Sequence, residues 1–429
     1  MADDQYYLGN SPFPLGTRDD DAKLIQRLRQ YLELRNLTVL LGNGCSLPLG
    51  SPRVASFLTI RPDLSLGEYR LGSESDQNEA LRILDLLVPN GSDLGLEAVL
   101  AILANIRANE ELIGKPAFVD TKPVSAAGAE CLERLLKKWL YLKCRALNGA
   151  DDISLRAHEE LLRRILMRST TLPRAKVFTV NYDLVIERAL DNLGVHYFDG
   201  FSGTINRTLR TESYHYDLYF PGETTEGRVS RVDRVLHLYK LHGSINWRRR
   251  RGSTLDVIIR QDSPDDREVG DVMIYPSPLK VAEMNGYPYS EMFRHFSAQI
   301  HQPQSALLVI GYRFQDSHIN RLIYQALGIP SFVLIIVTPQ VAAPEDGKAP
   351  DERHEVWRLT QINSKRIVVI TGGEKDGSGE YVSGAGTLQE FSVRWMPDIS
   401  ELNVEAKARD EMAKAFPSPI LDRRQNDAK

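Results

Sequence analysis

The chain has 429 residues, 42% hydrophobic and 26% charged, a composition in the ordinary range for a globular protein and far from that of a disordered chain. With 53 Lys and Arg against 57 Asp and Glu the formal net charge is −4, so no global field draws it to nucleic acid or to an anionic membrane. Cys45, Cys131 and Cys144 are too few for a disulfide framework, and the acidic start and short apolar runs exclude a signal peptide and a membrane span of roughly 18 residues, so the expectation is a cytoplasmic protein with no membrane partner and no directly indicated nucleic acid.

The first residues, rich in Gly, Pro and Asp, read as an arm over 1–22. Lys23 to Leu34 places Leu24, Ile25, Leu28, Tyr31 and Leu32 on one helical face. Leu37 to Leu41 is a short buried-strand signal that runs into Gly42-Asn43-Gly44-Cys45-Ser46. From about Glu79 to Ser169 the pattern is helical, with faces built from Leu96, Val99, Leu100, Leu103 and Ile106 behind a Ser92 or Asp93 cap, from Leu132, Leu135, Leu136, Trp139 and Leu140, and from Leu155, Leu161, Leu162, Ile165 and Leu166.

Further strand signals follow at 176–180, 236–241, 306–310, 332–337 and 366–370, with helical patterns at 184–193, 290–300 and 317–327 between several of them. Strands apolar on both faces and alternating with helices predict an α/β fold: a Rossmann-like parallel sheet covered by helices on both faces, with an inserted helical block. Arg248 to Asp271 carries charge and turn signals around Leu255 to Ile259 and reads as a hairpin excursion. The domain is expected to span 23–371, with the helical insertion at about 79–169, and 372–429 to be a C-terminal extension that ends in a helix and a polar tail after Leu402.

Four motifs fall at predicted strand ends, where open α/β sheets bind ligands. Gly42 to Ser46 would let the backbone turn sharply, and a helix starting just after it would aim N–H groups at a pyrophosphate; the plainer reading is a tight strand-to-helix turn. Thr179-Val180-Asn181-Tyr182-Asp183 presents an amide and a carboxylate, either of which could instead cap the next helix. Leu241-His242-Gly243-Ser244 offers an imidazole beside a glycine, and histidine is the side chain best suited to proton transfer near neutrality. Gly311-Tyr312-Arg313-Phe314-Gln315-Asp316 allows a second close approach of backbone to a ligand, at its adenosine end, or is one more turn. Arg248 to Arg251 reads as a solvated tip, Cys45 as a small loop residue rather than a reactive thiol, and Trp247 as core.

This ordered set resembles the sirtuin-like family of NAD-consuming enzymes. Gly42 to Ser46 is similar to its Gly-Ala-Gly-x-Ser loop, Thr179 to Asp183 to its Thr-x-Asn-x-Asp segment, and His242-Gly243 to its His-Gly pair. The Asn-Tyr-Asp form, the run from Leu241 to Trp247 and the Gly311 to Asp316 block look like the bacterial anti-phage defence branch. The resemblance covers roughly Leu37 to Thr371, and its specific part is about thirty residues. Protein-deacylating sirtuins carry a zinc module of four cysteines after the His-Gly pair, whereas Gly243 to Gln340 here contains no cysteine.

The resemblance implies an NAD+ hydrolase releasing nicotinamide and ADP-ribose, with NAD as substrate, no metal, and a role in defence by NAD depletion. Asn181 and His242 would be catalytic; Gly42, Asn43, Gly44, Cys45, Ser46, Asp183, Gly311 and Tyr312 would bind the dinucleotide, its pyrophosphate on the backbone of Gly42 to Ser46. It further implies a homo-oligomer and a HerA-type ATPase partner. The alternatives are an NAD-dependent protein deacylase and a non-catalytic NAD or ADP-ribose sensor; a nuclease is disfavoured by the lack of a carboxylate cluster with metal-site spacing.

Overall fold

Nine strands make the path of the main sheet: β1 (Ala2–Leu8), β2 (Ser11–Pro14), β3 (Asn36–Leu41), β4 (Lys176–Thr179), β5 (His196–Phe198), β6 (Val235–Lys240), β7 (Ser305–Ile310), β8 (Phe332–Thr338) and β9 (Ile367–Lys375). Their order is β2-β1-β9-β8-β7-β3-β4-β6-β5, and Tyr381–Ser383 adds a tenth strand on β9. This computed structural model describes residues 2–52, 64, 73–89, 95–149, 154–220, 230–250, 257–260, 287–345, 347–377, 379 and 381–398. From β9 to β5 every pairing is parallel. Such strands must be apolar on both faces, and they are. Val39 and Leu41 enter one core with helices α1 (Arg18–Leu32), α5 (Arg156–Leu166) and α6 (Val185–Asn192), while Leu40 and Phe178 enter the other with α7 (Tyr289–Ile300) and α8 (Ser317–Leu327).

Register aligns the functional ends of the strands. Leu41 of β3 pairs with Ile310 of β7 on one side and with Thr179 of β4 on the other, and Thr179 pairs with Lys240 of β6. The loops beginning at Gly42, Gly311, Val180 and Leu241 therefore leave the sheet at one level. After β3 the chain builds outward through β4 and β6, then returns to add β7 on the opposite side of β3, which makes a topological switch point beside the glycine loop.

The terminal segments differ from expectation. The arm is a hairpin: β1 and β2 pair around Gly9-Asn10, Gly9 taking the left-handed conformation at φ 60°, and β1 runs antiparallel to β9 with Tyr6 in the core. Pro12 and Pro14 are tolerated because β2 is the sheet edge. Helix α1 starts at Arg18 because Thr17 caps it and three aspartates fill its first turn. At the other end β9 continues to Lys375, and Ala385, Leu388, Phe391, Trp395 and Met396 pack into the same core, so a boundary at 371 cuts through the domain. The expected helix after Leu402 lies outside the described residues.

The inserted block contains α2 (Glu74–Leu87), α3 (Leu96–Ile113) and α4 (Ala126–Gly149) around a core that includes Ile83, Leu100, Leu135 and Trp139. Ser73 and Asp76 form a capping box for α2, whereas the expected Ser92 or Asp93 cap lies outside the described residues. Helix α5, expected in this block, packs on the sheet instead. Tyr182, Leu184 and Ile245 join the core of the block, so its inward face closes against the loops that carry Asn181 and His242.

The hairpin excursion is present as strands Trp247–Arg250 and Val257–Arg260, antiparallel to each other. Arg248 is not part of a solvated tip. It is buried against α4, donating to Tyr141 Oη at 3.2 Å and to the carbonyls of Ile245 and Trp247, while Arg249 and Arg250 are exposed and Arg251 lies outside the described residues. Trp247 is core, in edge contact with Phe201. Among the described residues no helix is long and apolar enough to cross a membrane.

Candidate active site

The loop after β3 forms two 3-10 turns, Asn43–Cys45 and Leu47–Leu49, in place of the helix expected there. Its glycines answer to the neighbouring loop. A Cβ on Gly42 would lie 2.5 Å from the Gly311 carbonyl oxygen, one on Gly44 2.8 Å from Gly311 Cα, and one on Gly311 2.6 Å from Cys45 N. Gly311 is also left-handed, at φ 65°. Four of the loop's five amides are already spent: Gly42 donates to Ile310 O, Gly44 to Gly311 O, Cys45 to Gly42 O and Ser46 to Asn43 O. Asn43 braces the turn by donating to Pro52 O and accepting from the Ser51 hydroxyl. The Cys45 thiol is buried against Ile310 O and burial pushes it up to about 12, so it is an inert small residue.

Asn181 and Asp183 make different contacts. Asp183 accepts from the Val185 amide at 3.1 Å at the start of α6, and also hydrogen-bonds Ser46. Burial raises its carboxyl, an effect opposed by Lys240. Asn181, itself 5% exposed, receives the structural bonds on one end only. Its Nδ2 donates to Ser46 Oγ at 3.1 Å and to Gly42 O at 3.3 Å, while its Oδ1 is buried and has no hydrogen-bond partner among the described residues. A buried acceptor without a partner costs about 1–3 kcal/mol, so the fold holds Asn181 in a state that a ligand hydroxyl would relieve.

Lys240, the last residue of β6, was not marked by its sequence context. Its ammonium is buried with Glu187 at 3.0 Å and also donates to the carbonyls of Asp183 and Tyr182, tying the Asn181 loop to the sheet from beneath. An unbroken strand pattern hides such a residue.

His242 leaves the end of β6 two residues later, and its side chain is 8% exposed. The ring lies between Tyr182 and Phe293, and Nε2 is 3.2 Å from Asp316 Oδ2. Asp316 caps α8, and its loop is braced by Tyr312 Oη, which bonds Asp316 O and Asn320 Oδ1, and by Asn320 Nδ2 donating to Phe314 O at 2.6 Å. The sequence motif ends on this aspartate, but nothing local marks it as the partner of a histidine 74 positions away.

A cavity of about 370 Å³ opens beside these loops. Gly44, Cys45, Gly311 and Tyr312 line it together with Thr338, Gln340 and Thr387, and three cations, Arg313, Arg353 and Lys375, stand at its wall. Asn181, Asp183 and His242 are not in its lining. They follow the ends of β4 and β6, on the other side of β3 from β7. Among the described residues no group of three or more His, Cys, Asp or Glu could hold a metal ion.

Residues 175–362 match the family model described as a SIR2-like domain, a span that holds Asn181, Asp183, His242, Gly311, Tyr312 and Asp316 but not the Gly42–Ser46 loop. Similar solved structures include a mutant Sir2 homologue in complex with 2'-O-acetyl ADP ribose, 13% identical over 78% of this chain and 94% of that one, with a TM-score of 0.34. Another, solved for the mechanism and regulation of Sir2 enzymes, is 11% identical over 89% and 99% of the two chains, with a TM-score of 0.37. No curated protein matches the chain.

Proposed function

We propose that the protein hydrolyses NAD+ to nicotinamide and ADP-ribose, a reading supported by the match of residues 175–362 to a SIR2-like domain. The observation that carries this reading is the buried Oδ1 of Asn181, without a hydrogen-bond partner among the described residues, in the loop after β4, the strand that pairs with the one leading to His242. The adenosine and phosphates would occupy the cavity. Because four of the five loop amides are spent on internal carbonyls, Arg313 and Lys375 rather than a backbone cradle would supply most of the charge balance for the phosphates, Arg353 being paired with Asp351.

The nicotinamide ribose would lie over Asn181 and His242. In the reaction the C1'–N bond breaks and its electron pair neutralises the departing pyridinium. Water adds to C1' and loses a proton. Asn181 Oδ1 would accept from the water or from a ribose hydroxyl, and His242 would take the proton. Asp183, bonded to Ser46 and to the first turn of α6, would hold the loop rather than touch substrate. The resemblance of the motifs extends the proposal to NAD depletion in anti-phage defence, by a homo-oligomer working with a HerA-type ATPase.

Product analysis after incubation with NAD tests the reaction. Nicotinamide and ADP-ribose in equal amounts are expected, and Asn181→Ala and His242→Ala should each lower turnover by at least roughly 10²-fold. O-acetyl-ADP-ribose formed from an acetylated peptide at a comparable rate would replace hydrolysis with deacylation. Binding of NAD without cleavage would leave the sensor reading.

A further inference from the structure

The Asp316 carboxylate divides its two oxygens between a helix and the imidazole. Oδ1 accepts the amides of His318 at 3.0 Å and Ile319 at 3.4 Å, which fixes the carboxylate to the first turn of α8; Oδ2 faces His242 Nε2 at 3.2 Å, with both side chains 8% exposed. The helix itself is anchored by buried Ile319, Ile323 and Ala326, and the loop before it by Tyr312 and Asn320. An ionised carboxylate only accepts hydrogen bonds, and the N-terminal end of a helix favours its ionised form. The nitrogen that faces it must therefore carry the proton.

We propose that Asp316 is the positioning residue of His242: it holds the neutral imidazole as the Nε2–H tautomer and stabilises the cation formed when His242 takes a proton. This rests on the reading of His242 as the proton acceptor. The arrangement follows the general logic in which a base is oriented by a third group. Among the described residues the rings of Tyr182 and Phe293 also contact the imidazole, and His318 is in edge contact with Phe293. Asp316 is a carboxylate that faces the imidazole directly.

Asp316→Asn separates orientation from capping, because asparagine caps helices as well as aspartate but carries no charge. The expected result is an unchanged melting temperature and an unchanged KM for NAD, with kcat lowered at least roughly tenfold. The acidic limb of the kcat/KM profile should move down by at least about one pH unit, since the carboxylate no longer favours the charged ring. An Asp316→Asn enzyme with wild-type kcat and pH profile would overturn the proposal and leave a helix cap. Nitrogen-15 NMR of labelled histidines gives an answer independent of turnover: His242, assigned from the His242→Ala spectrum, should be the Nε2–H tautomer in wild type and titrate at lower pH in Asp316→Asn. If wild type cleaves no NAD while these shifts appear, hydrolysis fails and the pairing stands; if the titration is unchanged, the pairing fails whatever the activity.

Discussion

The amide of Gly44 donates to the carbonyl of Gly311 at 2.9 Å, and neither residue has room for a side chain against the other's loop. The glycines of the two strand-end motifs thus serve each other: the loops after β3 and β7 interlock at the switch point, beside the cavity that Gly44 and Gly311 line. Substitution there acts on the fold before it acts on binding.

Gly44→Ala is accordingly expected to destabilise the protein by roughly 1–3 kcal/mol, because the new Cβ would sit 2.8 Å from both Gly311 Cα and its carbonyl oxygen. Gly377→Ala, whose Cβ would meet nothing within 4 Å, is the control and should change stability by less than about 0.5 kcal/mol. Urea unfolding of both variants checks this, and a Gly44→Ala protein as stable as the control would return the loop to a purely ligand-facing role.

Lys240 and Glu187 form an ion pair whose side chains are 3% and 7% exposed. Lys240→Met leaves Glu187 buried without its cation and should cost about 3–5 kcal/mol, whereas Lys240→Met with Glu187→Leu should recover much of that loss. Denaturant midpoints for the single and double variants decide the matter. Additive losses would mean that the pair is not coupled.

Acid should weaken the fold through three buried histidines. Burial lowers His158, His237 and His295 to about 4 from the ordinary 6.5. The unfolded chain therefore binds protons below pH 6.5 that the folded chain refuses. The stability these residues contribute is complete above 6.5 and is lost as the pH falls toward 4, by up to about 1.4 kcal/mol per pH unit for each histidine. Unfolding free energies at pH 7, 6 and 5 should fall in that order, and His158→Leu should show a shallower slope than wild type. Equal slopes would remove His158 from this account.

The central strands could be read from the sequence because their signal is local: a parallel strand covered on both faces is a short run of Val, Ile and Leu, as in 306–310 and 332–337, whatever lies beside it. Helix α8 was legible over Ser317–Leu327 for the same reason, since its apolar period and its Asp316 cap are both written within a few residues. Asn181, His242 and the glycine loop stood out by emerging at strand ends. The hairpin at Gly9-Asn10 was read only as an arm, because its strands count only once β1 finds the edge of β9 more than 350 residues later, as the pairing of Tyr7 with Val369 records.

What the tertiary structure alone decided are the contacts that depend on strand order and register. Charge made Arg248 look like surface, yet the hairpin turns it beneath α4 onto Tyr141. Lys240 looked like an ordinary strand end, yet β6 lies beside β4 and so brings it to Glu187. The partner of His242 stands at the end of a loop from a strand three places away in the sheet. Composition and periodicity describe what a segment can bury. Which polar group meets which across the sheet is set by topology, because strands adjacent in space, such as β3 and β7, are hundreds of residues apart in the chain.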